Sequence, residues 1–129
     1  MLRPFLRAKI HRARVTRCDV EYMGSITIDR ELLGVADLLP LERVEVYNLT
    51  RGTRFSTYCI VGAAGSGEIG INGAAAHLCE PDDHVIIAGY CMLDREDLPR
   101  HVARLVFVDD HNRVVEVRES SPFDLPDEA

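Results

Sequence analysis

Tryptophan is absent from the 129-residue chain and aromatic residues make up only 6% of it. A core would therefore have to be built from aliphatic side chains, chiefly Val, Ile, Leu and Ala. No apolar run is long enough for a membrane-spanning helix or a secretory signal, so a cytoplasmic protein that binds no membrane is expected. Cysteines are few and widely spaced: Cys18, Cys59, Cys79 and Cys91 never form a C-x-x-C pair. This removes the usual thiol redox motif and zinc framework, and leaves four thiols that suit small core positions in a reducing compartment. His77, His84, His101 and His111 have no metal-ligand spacing either, and no metal site is expected.

The net charge of −6 excludes a general nucleic-acid binder. Its distribution says more than its sum. Residues 1 to 18 contain no acid but carry Arg3, Arg7, Lys9, Arg12, Arg14 and Arg17, whereas acids crowd the last fifth of the chain. An Arg-rich, acid-poor start has the composition of an organellar targeting peptide, but the alternation Ala8-Lys9-Ile10-His11 suits a strand better. A basic strand can receive an anionic ligand.

The length suits one domain, here expected over residues 1–118, with a flexible acidic tail over 119–129. Alternation from Leu6 to Cys18 predicts one long strand with Lys9 and His11 on one face and Ile10 on the other. After a break at Gly24-Ser25, Ile26 to Ile28 resumes a strand and Asp29 offers an N-cap for a short helix through Glu31-Leu32-Leu33. Arg43 to Leu49 and Thr53 to Val61 form an expected hairpin, and 62–73 a glycine-rich loop with regular structure only near Ile69-Gly70-Ile71. A helical turn at Ala74 to His77 follows, then a strand from His84 to Met92 buried on both faces, and a closing hairpin of Val102 to Val108 with Val114 to Arg118. Many short strands with brief helices point to a mainly β, closed or nearly closed barrel.

Several motifs are set aside. Gly65-Ser66-Gly67-Glu68-Ile69-Gly70 matches G-x-G-x-x-G but neither opens a long helix nor sits in a βαβ unit. Asn48-Leu49-Thr50 is an idle glycosylation match. A Ser/His/Asp hydrolase assembled from Ser25 and His11 lacks the G-x-S-x-G elbow.

The strongest local signal is Glu21-Tyr22-Met23-Gly24-Ser25 directly after the basic strand. A Gly-Ser pair alone is usually a turn. Its company changes that reading. In order, Lys9-Ile10-His11, Tyr22-x-Gly24-Ser25, Asn48-x-Thr50, Arg54-Phe55-Ser56-Thr57-Tyr58 and Asn72-Gly73-Ala74-Ala75-Ala76-His77 resemble the aspartate 1-decarboxylase family over nearly the whole chain. The resemblance implies a double-psi β-barrel with short helices and a homotetramer with active sites between subunits. It also implies a precursor that cuts itself into a β chain, 1–24, and an α chain, 25–129, with Ser25 becoming a covalent pyruvoyl group. No pyridoxal phosphate and no metal would be needed, and whether an accessory maturation factor takes part stays open.

The residue types suit that chemistry. A glycine before Ser25 would let the peptide strain until the hydroxyl reaches the Gly24 carbonyl. An N-to-O acyl shift would follow, then elimination to dehydroalanine and hydrolysis to a ketone with loss of ammonia. That ketone would condense with the amine of L-aspartate and accept the electrons released with carbon dioxide, giving β-alanine for pantothenate and coenzyme A synthesis.

By resemblance, Tyr58 is the proton donor, Thr57 polarises the Gly24 carbonyl and contacts substrate, and Asn72 orients the same centre. Aspartate brings two carboxylates, for which Arg54 and Lys9 are the candidate cations. A single strand lysine is more commonly a solvated charge. Gly73, Ala74 and Ala75 would offer backbone N–H groups to substrate, or simply begin a tight helix. His11, Tyr22 and Tyr47 are expected to line the pocket; His11 could equally be structural, and the family more often carries tryptophan at the position of Tyr47. The competing reading is a non-catalytic barrel that binds an anionic ligand.

Overall fold

The computed structural model describes residues 1–124. Nine strands occur among them: β1 (Leu2–Arg14), β2 (Arg17–Asp19), β3 (Ser25–Asp29), β4 (Arg43–Asn48), β5 (Arg54–Gly62), β6 (Ile69–Asn72), β7 (His84–Asp94), β8 (Ala103–Val108) and β9 (Val114–Ser120). The one α-helix among the described residues, α1, spans Arg30–Ala36, and 3₁₀ turns cover Gly73–Leu78 and Arg95–Arg100.

Hydrogen bonding orders the strands β2-β6-β3-β5-β4-β7-β1-β8-β9. No ladder joins the two end strands, yet β2 continues β1 after only Val15 and Thr16. The first and seventh members of the order are thus one piece of chain, and the run from β2 to β1 wraps into a ring. The expected mainly β, double-psi barrel with short helices stands, with β8 and β9 appended as an antiparallel hairpin through the parallel pair β1·β8.

Chain β1–β2 differs from the single strand expected. The backbone changes partners at its break, where Val15 N donates to Asp83 O and Thr16 N to Ile69 O, both at 2.8 Å. A register shift between Ile10 and Ala13, with Arg12 at φ 63°, precedes it. Alternation then does its ordinary work. Ala8, Ile10 and Val15 join Ile26, Ile28, Val44, Val46, Cys59, Ile69, Ile71, Val85 and Ile87 in one aliphatic core, and Lys9 and His11 face the other way as expected.

Asp29 caps α1 from the end of β3. Its buried carboxylate accepts from Glu31 N at 2.8 Å and also from Gly65 N at 3.0 Å and Gly67 N at 2.8 Å. The glycine-rich loop is therefore pinned by one side chain, and Gly67 (φ 69°) is obligatory because a Cβ there would lie 2.6 Å from His111 O. Asn112 secures the other side of that loop, donating to Gly67 O and Arg14 O while accepting from Arg14 N.

The strand expected to be buried on both faces is so only in part. β7 runs to Asp94, and beyond Gly89 its Tyr90 and Met92 are exposed. Strand β9 continues through Ser120, two residues past the expected domain end, because Ser120 still pairs with Ala103. Of the expected tail, 125–129 lie outside the described residues. No helix of the described residues is long and apolar enough to cross a membrane.

Cys59 and Cys79 are buried, and burial pushes their thiols up to about 12 and about 11. Both stay protonated at neutral pH. Asn48 is no glycan acceptor: it is 3% exposed and its amide donates to Asp83 at 2.9 Å. Asp83 also takes Arg51 Nε at 2.7 Å and Glu80 N at 2.9 Å, tying the β4–β5 turn to the segment after the 3₁₀ turn Gly73–Leu78. Burial alone would raise the Asp83 carboxyl; these hydrogen bonds together outweigh it and hold it below the ordinary carboxylate value.

Candidate active site

Strand β3 sorts its side chains by alternation. Ile26 and Ile28 enter the core, so Ser25, Thr27 and Asp29 occupy the opposite face, where they are nonetheless buried. Ser25 is 1% exposed. Its Oγ donates to Met23 O at 2.9 Å and accepts from Asn72 Nδ2 at 3.0 Å. The same Asn72 nitrogen donates to Thr27 Oγ1 at 3.0 Å. The antiparallel pairing Ser25↔Asn72 sets these side chains side by side. Asn72 Oδ1 is buried without a hydrogen-bond partner among the described residues, so the amide has acceptor capacity left beside Ser25.

Space at the Gly24-Ser25 peptide is set from across the strand pair. Gly73 has φ 77°, and a Cβ there would lie 2.6 Å from Gly24 Cα and 2.8 Å from Gly24 N. Gly24 itself has no positive φ, and a Cβ on it would meet nothing within 4 Å. The strain expected at Gly24 is thus not in its φ; the close approach is made possible by Gly73.

Strand β5 runs parallel to β3 with Ile26 opposite Cys59. Tyr58 and Thr57 precede Cys59 on β5 as Ser25 and Gly24 precede Ile26, at the same end of this parallel pair. Arg43, Ser56, Thr57 and Tyr58 line a cavity of about 280 Å³. A larger one of about 530 Å³, between α1 and the β8–β9 turn, is lined by none of the expected site residues.

A second group lies on β1, β7 and β4 and at the start of β5. Register carries Lys9 beside Ala88 and Ala88 beside Glu45. Tyr47 stands opposite Arg54, whose guanidinium carbon lies 4.4 Å from the centre of the Tyr47 ring. The Tyr47 hydroxyl meets that of Tyr90 at 2.8 Å. Among the described residues neither Lys9 nor Arg54 forms an ion pair, which leaves both charges available.

His11 sits apart, its ring 5.5 Å from Phe107. Its Nδ1 is buried and has no partner among the described residues, and burial first, then the positive charges of Lys9 and Arg12, lower its affinity for a proton. Tyr22 lies half-exposed in the bend before the Gly24-Ser25 bond, next to exposed Met23. Ala74 and Ala75 follow Gly73 in the 3₁₀ turn.

The structure brings Gly24, Ser25, Asn72 and Gly73 together as one group, with Thr57 and Tyr58 at the same end of the β3·β5 pair, and carries Lys9, Tyr47 and Arg54 as another. No hydrogen bond or ion pair joins the two among the described residues. Sequence reasoning missed Thr27, which shares the Asn72 amide, and Tyr90, which lies within an apolar run and has no motif around it. Only strand register reveals either.

Residues 1–115 match the family model described as aspartate decarboxylase. The chain belongs to the aspartate decarboxylase family. It is 54% identical over 116 residues, 90% of its own length and 87% of the relative's, to the aspartate 1-decarboxylases of Legionella pneumophila strains Paris and Philadelphia 1. It is 53% identical, with the same coverage, to that of strain Lens. A family member with this coverage is an enzyme, and the non-catalytic reading falls away.

Proposed function

We propose that the chain is a self-processing aspartate 1-decarboxylase that converts L-aspartate into β-alanine and carbon dioxide, supplying pantothenate and coenzyme A synthesis in the cytoplasm. The observation that carries this reading is Ser25 Oγ, almost wholly buried, held by Asn72 Nδ2 at 3.0 Å and set beside the Gly24 peptide against which Gly73 packs.

For maturation, Ser25 Oγ attacks the Gly24 carbonyl carbon and the amide nitrogen takes up the proton, leaving an ester. Thr57 donates a hydrogen bond to the oxygen that becomes negative. Loss of the Ser25 α-proton and of the Cβ–Oγ bond then frees residues 1–24 with a C-terminal carboxylate. Water replaces the nitrogen of the resulting dehydroalanine, and ammonia departs.

When in place, the pyruvoyl ketone supplies the electron sink that amino-acid decarboxylation requires. The surrounding residues suit it: Asn72 offers an amide at the former hydroxyl, and its free Oδ1 can accept from an incoming ammonium group. Arg54 grips one substrate carboxylate through two parallel N–H bonds, and Lys9 adds a second cation. Backbone N–H groups of Gly73, Ala74 and Ala75 help to orient substrate. Tyr58 gives its phenolic proton to the carbon that has lost carbon dioxide. His11, Tyr22 and Tyr47 complete the walls.

Large side chains left exposed on β7, Tyr90 and Met92, offer surface to a second copy of the chain. This supports a homotetramer with sites between subunits, and the exposed Tyr22 and Met23 beside the scissile bond are suited to such a contact. The direct test follows conversion of L-aspartate into β-alanine before and after treatment with a carbonyl reagent such as phenylhydrazine. Activity that disappears on treatment is expected; activity that survives contradicts the ketone.

A further inference from the structure

Tyr47 and Tyr90 are not neighbours in the sheet. Tyr47 stands opposite Ile86 on β7, so Tyr90 lies four residues further along that strand, on the same face because side chains alternate. Their Cα atoms are about 13 Å apart along the strand direction. The two rings lean toward each other across Ala88, whose methyl is too small to obstruct them, and meet hydroxyl to hydroxyl at 2.8 Å. Ala88 is 1% exposed although it faces away from the core, which fits a lid of longer side chains above it.

The Arg54 guanidinium stacks on the same Tyr47 ring, 4.4 Å from its centre. A guanidinium so placed keeps its N–H edge free for a carboxylate while its plane is fixed by the ring. The direction of that edge depends on the ring beneath it. The ring has one polar anchor among the described residues, the hydroxyl of Tyr90.

We infer that Tyr90 is a positioning residue for substrate binding: by holding the Tyr47 hydroxyl it locks the ring on which Arg54 lies and so aims the guanidinium at a carboxylate of aspartate. This rests on the reading above in which Arg54 binds substrate. The bond from Tyr47, and then burial, push the Tyr90 phenol up to about 12, so the anchor keeps its proton at neutral pH.

The experiment compares Tyr90→Phe, Tyr47→Phe, Arg54→Ala and the double variant Tyr90→Phe/Arg54→Ala as fully processed enzymes, with KM and kcat for L-aspartate measured and folding checked by thermal melting. Loss of one hydrogen bond predicts that Tyr90→Phe raises KM about three- to tenfold while kcat, cleavage and melting temperature stay at parental values. Tyr47→Phe should match it. In the Arg54→Ala background, Tyr90→Phe should add nothing, since its effect passes through the guanidinium. A parental KM in Tyr90→Phe, or an equal rise when Arg54 is already gone, overturns the inference while leaving Arg54 as the anion clamp. An Arg54→Ala enzyme with unchanged KM overturns the underlying assignment instead.

Discussion

Gly73 and Gly24 touch backbone to backbone, so closely that one added methyl on Gly73 would sit 2.6 Å from Gly24 Cα. The contact links the loop expected to hold substrate to the bond expected to break. Glycine is therefore needed at 73 twice over, for its φ of 77° and for space.

Gly73→Ala is accordingly expected to disturb the Gly24-Ser25 peptide. Backbone cannot yield as a flexible side chain can, so the segment 22–25 or the 3₁₀ turn must shift. Cleavage at Gly24-Ser25 should slow by at least tenfold, and the fold should lose about 1–3 kcal/mol, as is usual for strain at a special φ. Gel analysis of the precursor fraction against time, with denaturant melts, checks both. Gly24→Ala, with open space around its Cβ, should be the milder change.

Ser25→Ala should remain a single chain without decarboxylase activity, because the oxygen that would attack the Gly24 carbonyl is missing. Gel mobility and β-alanine formation measure the two halves of this expectation. Normal turnover by this variant would falsify the maturation scheme.

Tyr58→Phe separates maturation from turnover. Cleavage should proceed as in the parent, since the proposed maturation uses the hydroxyl of Thr57, not that of Tyr58. Turnover should fall by about 10²–10⁴ if Tyr58 supplies the proton. A precursor that stays uncut would move Tyr58 from catalysis to maturation.

Asp83 ties pH to stability. Its folded-state carboxyl lies below the ordinary value, so its contribution is present above the unfolded carboxylate pKa of about 3.9 and fades as pH falls through the folded value. Asp83→Asn should cost about 1–3 kcal/mol at neutral pH, where Arg51 loses a charged partner. It should also lose less further stability than the parent on acidification. Thermal melts across this acid range measure the difference in slope.

Much of this architecture was legible because alternation and capping are local. Lys9 and His11 opposite Ile10, the Asp29 cap, the β4–β5 hairpin and the closing β8–β9 hairpin all follow from neighbours in sequence. The break at Val15 and Thr16 was not, since both residues keep the alternation while their backbone turns to Asp83 and Ile69. Ser120 extends β9 through a pairing made 17 residues away in sequence. The same holds in the site. Ser25, Asn72 and Gly73 stood out by motif, whereas Thr27 and Tyr90 gain their meaning only from which strands lie side by side, and the demand for glycine at 73 comes from a contact across two strands.

Mass spectrometry of the purified, active protein tests the central claim most directly. The account predicts two fragments, one ending at Gly24 and one whose first residue is lighter than serine and blocked to N-terminal sequencing. Full activity from one uncut chain still carrying serine at position 25 would contradict it.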